Sequence, residues 1–363
     1  MKNKNILYTI STLLLLLFIV FGAIRYQNYH SSSKITSSSS GKDSKISRIV
    51  ITGNCPFSVG MANNNVYSKI VGTGPWTFTK NTNNELGNYT LLKKIKPDID
   101  RINNNFMDKQ YTVNSESLLK LKPQKIFYYG AVQNDHLDRF NIPIINLDRD
   151  REGAIDPSKE QDYWETTYEK ELSLPETHKF KTVWNRAKKQ MEDVRKHSNV
   201  AGKTGLYVYM VNNKVLRVSG KGSYGDYYLK MAGLKNVASD LPFFADKAQQ
   251  IDVSEEQLLK WNPDVIIVCF GSAKDIKEGK ILNNALANTK AFHENNIIST
   301  PVGIHNWGGA GGESSLLPLY ITNKLDKKAV DDNKLRLATK NYYKYVYNYD
   351  ISDSMLNEVL KDR

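Results

Sequence analysis

Continuous apolar runs at Ser47–Thr52, Lys125–Tyr129, Pro143–Leu147, Gly205–Met210, Val215–Val218, Asp264–Cys269 and Asn296–Ser299 predict short strands. Gly53-Asn54 and Pro56 stop the first of them. Runs without polar alternation, such as Val265–Val268, suit strands covered on both faces. Helical patterns alternate with most of these runs, so the expected class is α/β with mostly parallel central sheets. A different period governs Phe180, Val183, Trp184, Ala187, Met191 and Val194, which recur at i, i+3, i+4, i+7, i+11 and i+14. They predict a helix over 178–197, about 28 Å long, enough to run across two lobes. A surface helix of one lobe fits the same stripe. Asp156–Pro175, just before it, reads as polar and turn-rich.

The N-terminus breaks both patterns. Ile6–Ile24 holds no charge and would span about 28 Å, close to the hydrocarbon thickness of a bilayer. Lys2 and Lys4 precede it, in keeping with the positive-inside rule, while Arg25 follows. No Ala-x-Ala-like site and no lipid-accepting Cys stands at its end. The segment 1–25 reads as an uncleaved signal anchor, with a cleaved signal peptide as the second reading. Residues 26–46 are a serine-rich tether, and the remainder is expected to fold outside the cytoplasm, tethered to the membrane.

Length and composition then narrow the class. The chain has 363 residues, 40% hydrophobic and 24% charged, which fits a folded two-domain protein and excludes wholesale disorder. Its net charge is +12, but six basic and one acidic side chain fall in the first 45 residues, leaving a mild excess of +7. Scattered lysines such as Lys93-Lys94 read as a solvated face, and no nucleic-acid partner is expected. Two cysteines, Cys55 and Cys269, exclude a disulfide framework. The six dispersed histidines argue against an all-protein metal cage, so a metal would arrive already complexed.

An internal echo is the most informative feature. The fifteen residues from Glu116 align without gaps on the fifteen from Glu256, with six identities. Ser115 and Ser254 are the expected helix caps, a carboxylate opens each first turn, and Pro123 and Pro263 end each copy before a buried strand. The chain thus reads as two lobes, each with a short helix led by Glu.

The doubled Glu-x-Leu-Leu-Lys-x-x-Pro, the Gly222-Ser223 followed by Leu229–Val237, the Asn141–Ile145 strand and the C-terminal Asn341–Leu360 resemble the substrate receptors of the iron-siderophore, haem and cobalamin ABC importers. The resemblance covers about residues 47–360. It implies two α/β lobes (47–150 and 201–363) joined through a connecting segment (151–200) that carries one long helix. It also implies a monomer with a ligand in the interlobe cleft, no intrinsic cofactor, and no enzymatic activity. The ligand would be an iron complex or related metal chelate handed to an ABC permease, with molybdate-type oxyanion or cobalamin as alternatives. Family members dock on their permease through one exposed Glu per lobe, and the matching positions are Glu116 and Glu256, with Glu255 as the neighbour that could replace the latter. Each Glu would equally complement a helix N-terminus. The family's lipid-accepting Cys is missing here, so the hydrophobic anchor would replace it.

Candidate ligand residues sit after strands. Pro301–Glu313 combines His305, Trp307 and five glycines; His305 could complete the coordination of a chelated metal, and Trp307 could pack on a flat ligand. A solvated histidine and a core tryptophan are the plainer readings. Glu313 reads as a cap for the following helix. Gly220–Gly225 has the G-x-G-x-x-G form of a dinucleotide turn, which leaves an extracellular oxidoreductase as the alternative of another class. Its amides, with Lys221, Tyr224 and Arg217, could instead contact an anionic ligand. Phe57, Trp76 and Tyr129 are expected to face the same cleft, and Cys55 reads as a packed small side chain.

Overall fold

The computed structural model describes residues 45–80, 82–110, 112–130, 137–148, 154–212, 215–241, 250–281 and 284–363. The anchor and nearly all of the tether lie outside the described residues. Among those described, no helix is long and apolar enough to cross a membrane. Ile46–Arg363 forms one compact unit.

Two sheets build this unit. The first has strands β1 (Ile49–Ile51), β2 (Ile70–Thr73), β3 (Lys125–Tyr128) and β4 (Ile144–Asn146), in the order β2-β1-β3-β4 and all parallel. The second has β5 (Thr204–Val211), β6 (Leu216–Ser219), β7 (Lys235–Asn236), β8 (Gln250–Asp252), β9 (Val265–Phe270) and β10 (Ile297–Ser299). Its order is β10-β9-β5-β6-β8; β5, β9 and β10 run parallel, β6 runs antiparallel to β5 and β8, and β7 pairs with the start of β5. All seven expected strands are present. β2, β7 and β8 were not expected.

Eight helices matter to the site: α1 (Asn54–Gly60), α2 (Ser115–Lys120), α3 (Pro157–Glu171), α4 (Lys179–His197), α5 (Tyr224–Ala232), α6 (Glu255–Trp261), α7 (Leu317–Leu325) and α8 (Asp332–Tyr347). The helix expected over 178–197 is α4, which buries Phe180, Val183, Trp184, Met191 and Val194 and packs against α3, α5, α7 and α8.

The segment read as polar and turn-rich is instead the fifteen-residue α3, a correction with a clear cause. Its buried face mixes Trp164 and Tyr168 with Glu160, Gln161, Glu165 and Glu169, so no apolar stripe advertises it. The burial of Gln161, Glu165 and Glu169 is matched by hydrogen bonds. Glu165 accepts from the Lys179 and Phe180 amides at 3.0 Å each, satisfying the open N-terminus of α4, and Glu169 accepts from the Thr177 hydroxyl at 2.6 Å. Pro157 sits at the start of α3, with the Asp156 side chain accepting from the Ser158 amide.

Successive strand residues alternate between private and shared cores. Val50, Ile126 and Tyr128 pack on the outer face of the first sheet, and Leu206, Val208, Ile266 and Val268 on the outer face of the second. Ile49, Ile51, Phe127, Tyr207, Val265, Ile267 and Ile298 all belong to one continuous interior shared by both sheets and the helices between them.

Candidate functional site

Because the first sheet is wholly parallel, its strands deliver Asn54-Cys55, Trp76 and Tyr129 past one carboxyl edge, the edge at which α/β sheets hold ligands. The carboxyl end of β10 in the second sheet leads into Pro301–Glu313. Tyr129 and Tyr224 meet across the two sheets, hydroxyl to hydroxyl at 3.3 Å, with the Tyr129 ring edge-on to Trp164 at 5.2 Å. A second meeting joins Cys55 at the start of α1 to His305, Sγ to Nε2 at 3.9 Å.

The loop expected to be the open ligand contact is mostly a buried hub. The Gly308 carbonyl accepts from the Tyr207 hydroxyl at 2.7 Å and Gly309 from Tyr228 at 2.6 Å. The Gln161 amide donates to the Ala310 and Gly311 carbonyls at 2.9 and 2.6 Å, and the Tyr342 hydroxyl donates to Gly312. From the first sheet's side, the Asn88 amide donates to the Gly303 carbonyl and the Asn306 side chain to that of Glu85, at 2.8 and 2.9 Å. The loop is thereby fixed from both halves of the molecule.

Glu313 does not cap the helix after it. Its carboxylate reaches back to accept from the Ile304 and His305 amides at 2.6 and 3.1 Å and from the Tyr343 hydroxyl at 2.6 Å. Burial pushes this carboxyl up to about 7 against those hydrogen bonds. His305 is 3% exposed rather than a solvated loop histidine, and burial takes its imidazole down to about 4. Cys55 keeps some exposed surface, yet the protein packed around its sulfur drives the thiol up to about 12.

Trp307 and Phe57 are core side chains, Trp307 edge-on to Tyr320 at 6.2 Å. Trp76 is half-buried, donates to the Lys109 carbonyl at 3.1 Å and carries the Lys109 ammonium 5.4 Å from its ring. Arg217 forms a two-pronged pair with Asp252 across β6 and β8, at 2.7 and 3.0 Å. Lys221 is exposed in the glycine-rich turn. In that turn the buried Asp226 carboxylate accepts from the Gly222 amide at 2.8 Å and the Lys230 ammonium at 2.6 Å. A protein carboxylate therefore stands where a dinucleotide phosphate would need those donors. Gly225 is needed for a different reason: a Cβ there would lie 2.4 Å from the Tyr207 ring, so glycine lets α5 press onto β5.

The two echo helices both form. Glu116 and Glu256 are exposed in their first turns. The cap of α2 is Asn114, whose side chain accepts from the Ser117 amide, in place of the expected Ser115; Ser254 caps α6 as expected. Gln161, Asn306 and the Cys55 contact were missed. Each is a lone polar residue whose partner lies far along the chain, beyond the reach of spacing rules.

A groove of about 290 Å³ also opens between α4, α7 and α8, lined by Val183, Met191, Leu316, Leu337 and Tyr345 among others. None of the candidate ligand residues lines it.

Residues 171–302 match the family described as periplasmic binding protein. No curated protein matches the chain by sequence. Among solved structures, a periplasmic solute binding protein from Veillonella parvula is 24% identical, with a TM-score of 0.66 over 87% of this chain and 92% of its own. Helicobacter pylori CeuE with Ni(II) bound is 20% identical, with a TM-score of 0.64 over 87% of this chain and 94% of its own. The Haemophilus influenzae molybdate periplasmic binding protein MolA, bound to molybdate, is 19% identical, with a TM-score of 0.63 over 85% and 94%. Residues 171–302 are thus similar to the periplasmic-binding-protein family, and Ile46–Arg363 shares the fold of these periplasmic solute-binding proteins.

Proposed function

We propose that this protein is an extracytoplasmic substrate-binding receptor that takes a metal chelate between its two sheets and delivers it to an ABC permease. The observation that carries this reading is the double meeting of side chains from the segments that follow the strands of the two sheets, Tyr129 with Tyr224 and Cys55 with His305. Trp76 and Lys221 flank that region in sequence as further candidate contacts. Ni(II) and molybdate, bound by two proteins of the same fold, define the cargo chemistries to compare. The apolar 6–24 segment and serine-rich tether would hold the receptor at the membrane surface. Glu116 and Glu256 would orient it on the permease, as paired surface charges do in transient interfaces. Among the described residues, Glu116 pairs with Lys120 on its own helix, at 2.6 Å with both side chains largely exposed, an interaction weak enough to be exchanged for a partner's arginine.

Thermal unfolding of the full-length protein tests the reading. A cognate cargo at about 100 times its dissociation constant stabilises the folded state by about 2.7 kcal/mol. A nickel or a ferric chelate is expected to raise Tm, and nicotinamide nucleotides to leave it unchanged. Stabilisation by the nucleotides alone would return the oxidoreductase reading.

A further inference from the structure

We infer that Cys55 and His305 act together as a two-donor metal site, a thiolate sulfur and an imidazole nitrogen that grip the central ion of the cargo while the chelator fills its remaining positions. The inference rests on the receptor reading and deepens it by naming the class of cargo.

The imidazole is oriented for the task. Nδ1 lies 2.9 Å from the Asn306 carbonyl oxygen, which can only accept, so Nδ1 carries the hydrogen and the Nε2 lone pair faces the Cys55 sulfur. A backbone carbonyl that fixes the far nitrogen is the usual support of a metal-binding histidine. Two glycines hold the ring in place. A Cβ at Gly309 or Gly311 would fall 2.9 or 2.8 Å from it, so backbone packs on both positions where any other residue would displace the imidazole.

The spacing suits a metal. With bonds of about 2.3 Å to sulfur and about 2.0–2.1 Å to nitrogen, atoms 3.9 Å apart subtend about 125–130° at an ion between them; a tetrahedral angle requires closure to about 3.5 Å. Movement of a few tenths of an ångström is enough. Binding would release the thiol proton to solvent and leave a metal–thiolate bond.

Among the described residues, no group of three or more His, Cys, Asp or Glu is placed to hold an ion alone. The pair therefore leaves the ion's remaining positions to donors that arrive with it, the chelator of a cargo or the water of a bare ion. Sulfur and imidazole together select late first-row divalent ions, Ni(II), Co(II) or Zn(II), over the hard ferric ion of an oxygen-saturated chelate. Cys55 follows β1 of the first sheet and His305 follows β10 of the second, so a shared ion would also tie the two halves together.

Co(II) titration of the full-length protein gives the first test. One equivalent should produce a thiolate-to-cobalt charge-transfer band that Cys55→Ser abolishes, while His305→Gln weakens binding by at least about tenfold. No such band at saturating Co(II), or an unchanged band in Cys55→Ser, overturns the pair. If either variant fails to fold, the wild type suffices: Ni(II) should slow alkylation of Cys55, mapped by mass spectrometry, by at least about tenfold, and an unchanged rate overturns the pair. The two levels separate cleanly. Chelate-induced stabilisation without the cobalt band keeps the receptor and removes the pair; the band without any chelate-induced stabilisation keeps the pair and removes the receptor.

Discussion

The Asp264 carboxylate stands where β9 begins, accepting from the Lys290 ammonium at 2.6 Å and from the Thr204 amide and hydroxyl at 2.8 and 2.7 Å, which ties the start of β5 to β9. The lysine, assisted by Thr204 and opposed by partial burial, holds this carboxyl down at about 2 against an ordinary 3.8. A depressed carboxyl contributes stability that is present above its unfolded value and lost as pH falls through its folded one. Asp264→Asn should cost about 1–2 kcal/mol at neutral pH, after allowance for the site's partial exposure. Denaturant titrations should show the gap to wild type closing between about pH 4 and pH 2; a gap independent of pH would refute the charge assignment. At this scale little was legible in advance. Gln161 binds the Trp184 indole through its oxygen and the glycine-rich loop through its nitrogen, yet it is one glutamine in a polar stretch. His305 and the glycines around it were visible as a group, but their burial was not, because burial depends on what the other sheet brings.

At the level of elements, legibility followed periodicity. The α4 stripe appeared because its buried side is apolar, and α3 stayed hidden because its buried side is half carboxylate and amide. β2 escaped notice since Gly72 interrupts a four-residue run; a Cβ there would lie 2.7 Å from Leu121. The echo helices were legible twice over, and the structure adds that Leu119 and Leu259, one residue before the shared Lys, are 50% and 43% exposed. Equivalent leucines left uncovered beside equivalent glutamates match the composition of a docking patch, charge for orientation and apolar surface for affinity. Replacing both leucines by serine should change Tm little, since exposed side chains seldom contribute more than about 0.5 kcal/mol, and should lower cargo uptake by cells. Charge reversal at Glu116 and Glu256 together should abolish uptake with cargo affinity intact. Unaffected uptake in both variants would remove these helices from the interface.

On the scale of the whole molecule, the class of fold was readable because it depends on alternating strand and helix patterns, the part of a sequence that composition and period encode directly. The extent of fusion between the halves was not. Apolar residues from both sheets belong to one interior, bridged by α3, α4 and the loop after β10. The halves should therefore unfold together: calorimetry of the full-length protein should give a single transition with calorimetric and van't Hoff enthalpies in agreement. Two resolved transitions would mean that the shared interior contributes less than the private cores of each sheet.

The carbonyls along Gly308–Gly312 are each claimed by a hydroxyl or amide rooted in another element. A lineage that drifts toward a new nutrient has almost no freedom there. Inherited variation must collect at the rim, around Trp76, Tyr129 and Tyr224. A library randomised along the turn should yield few soluble clones, and one randomised at the rim many, some with altered appetite.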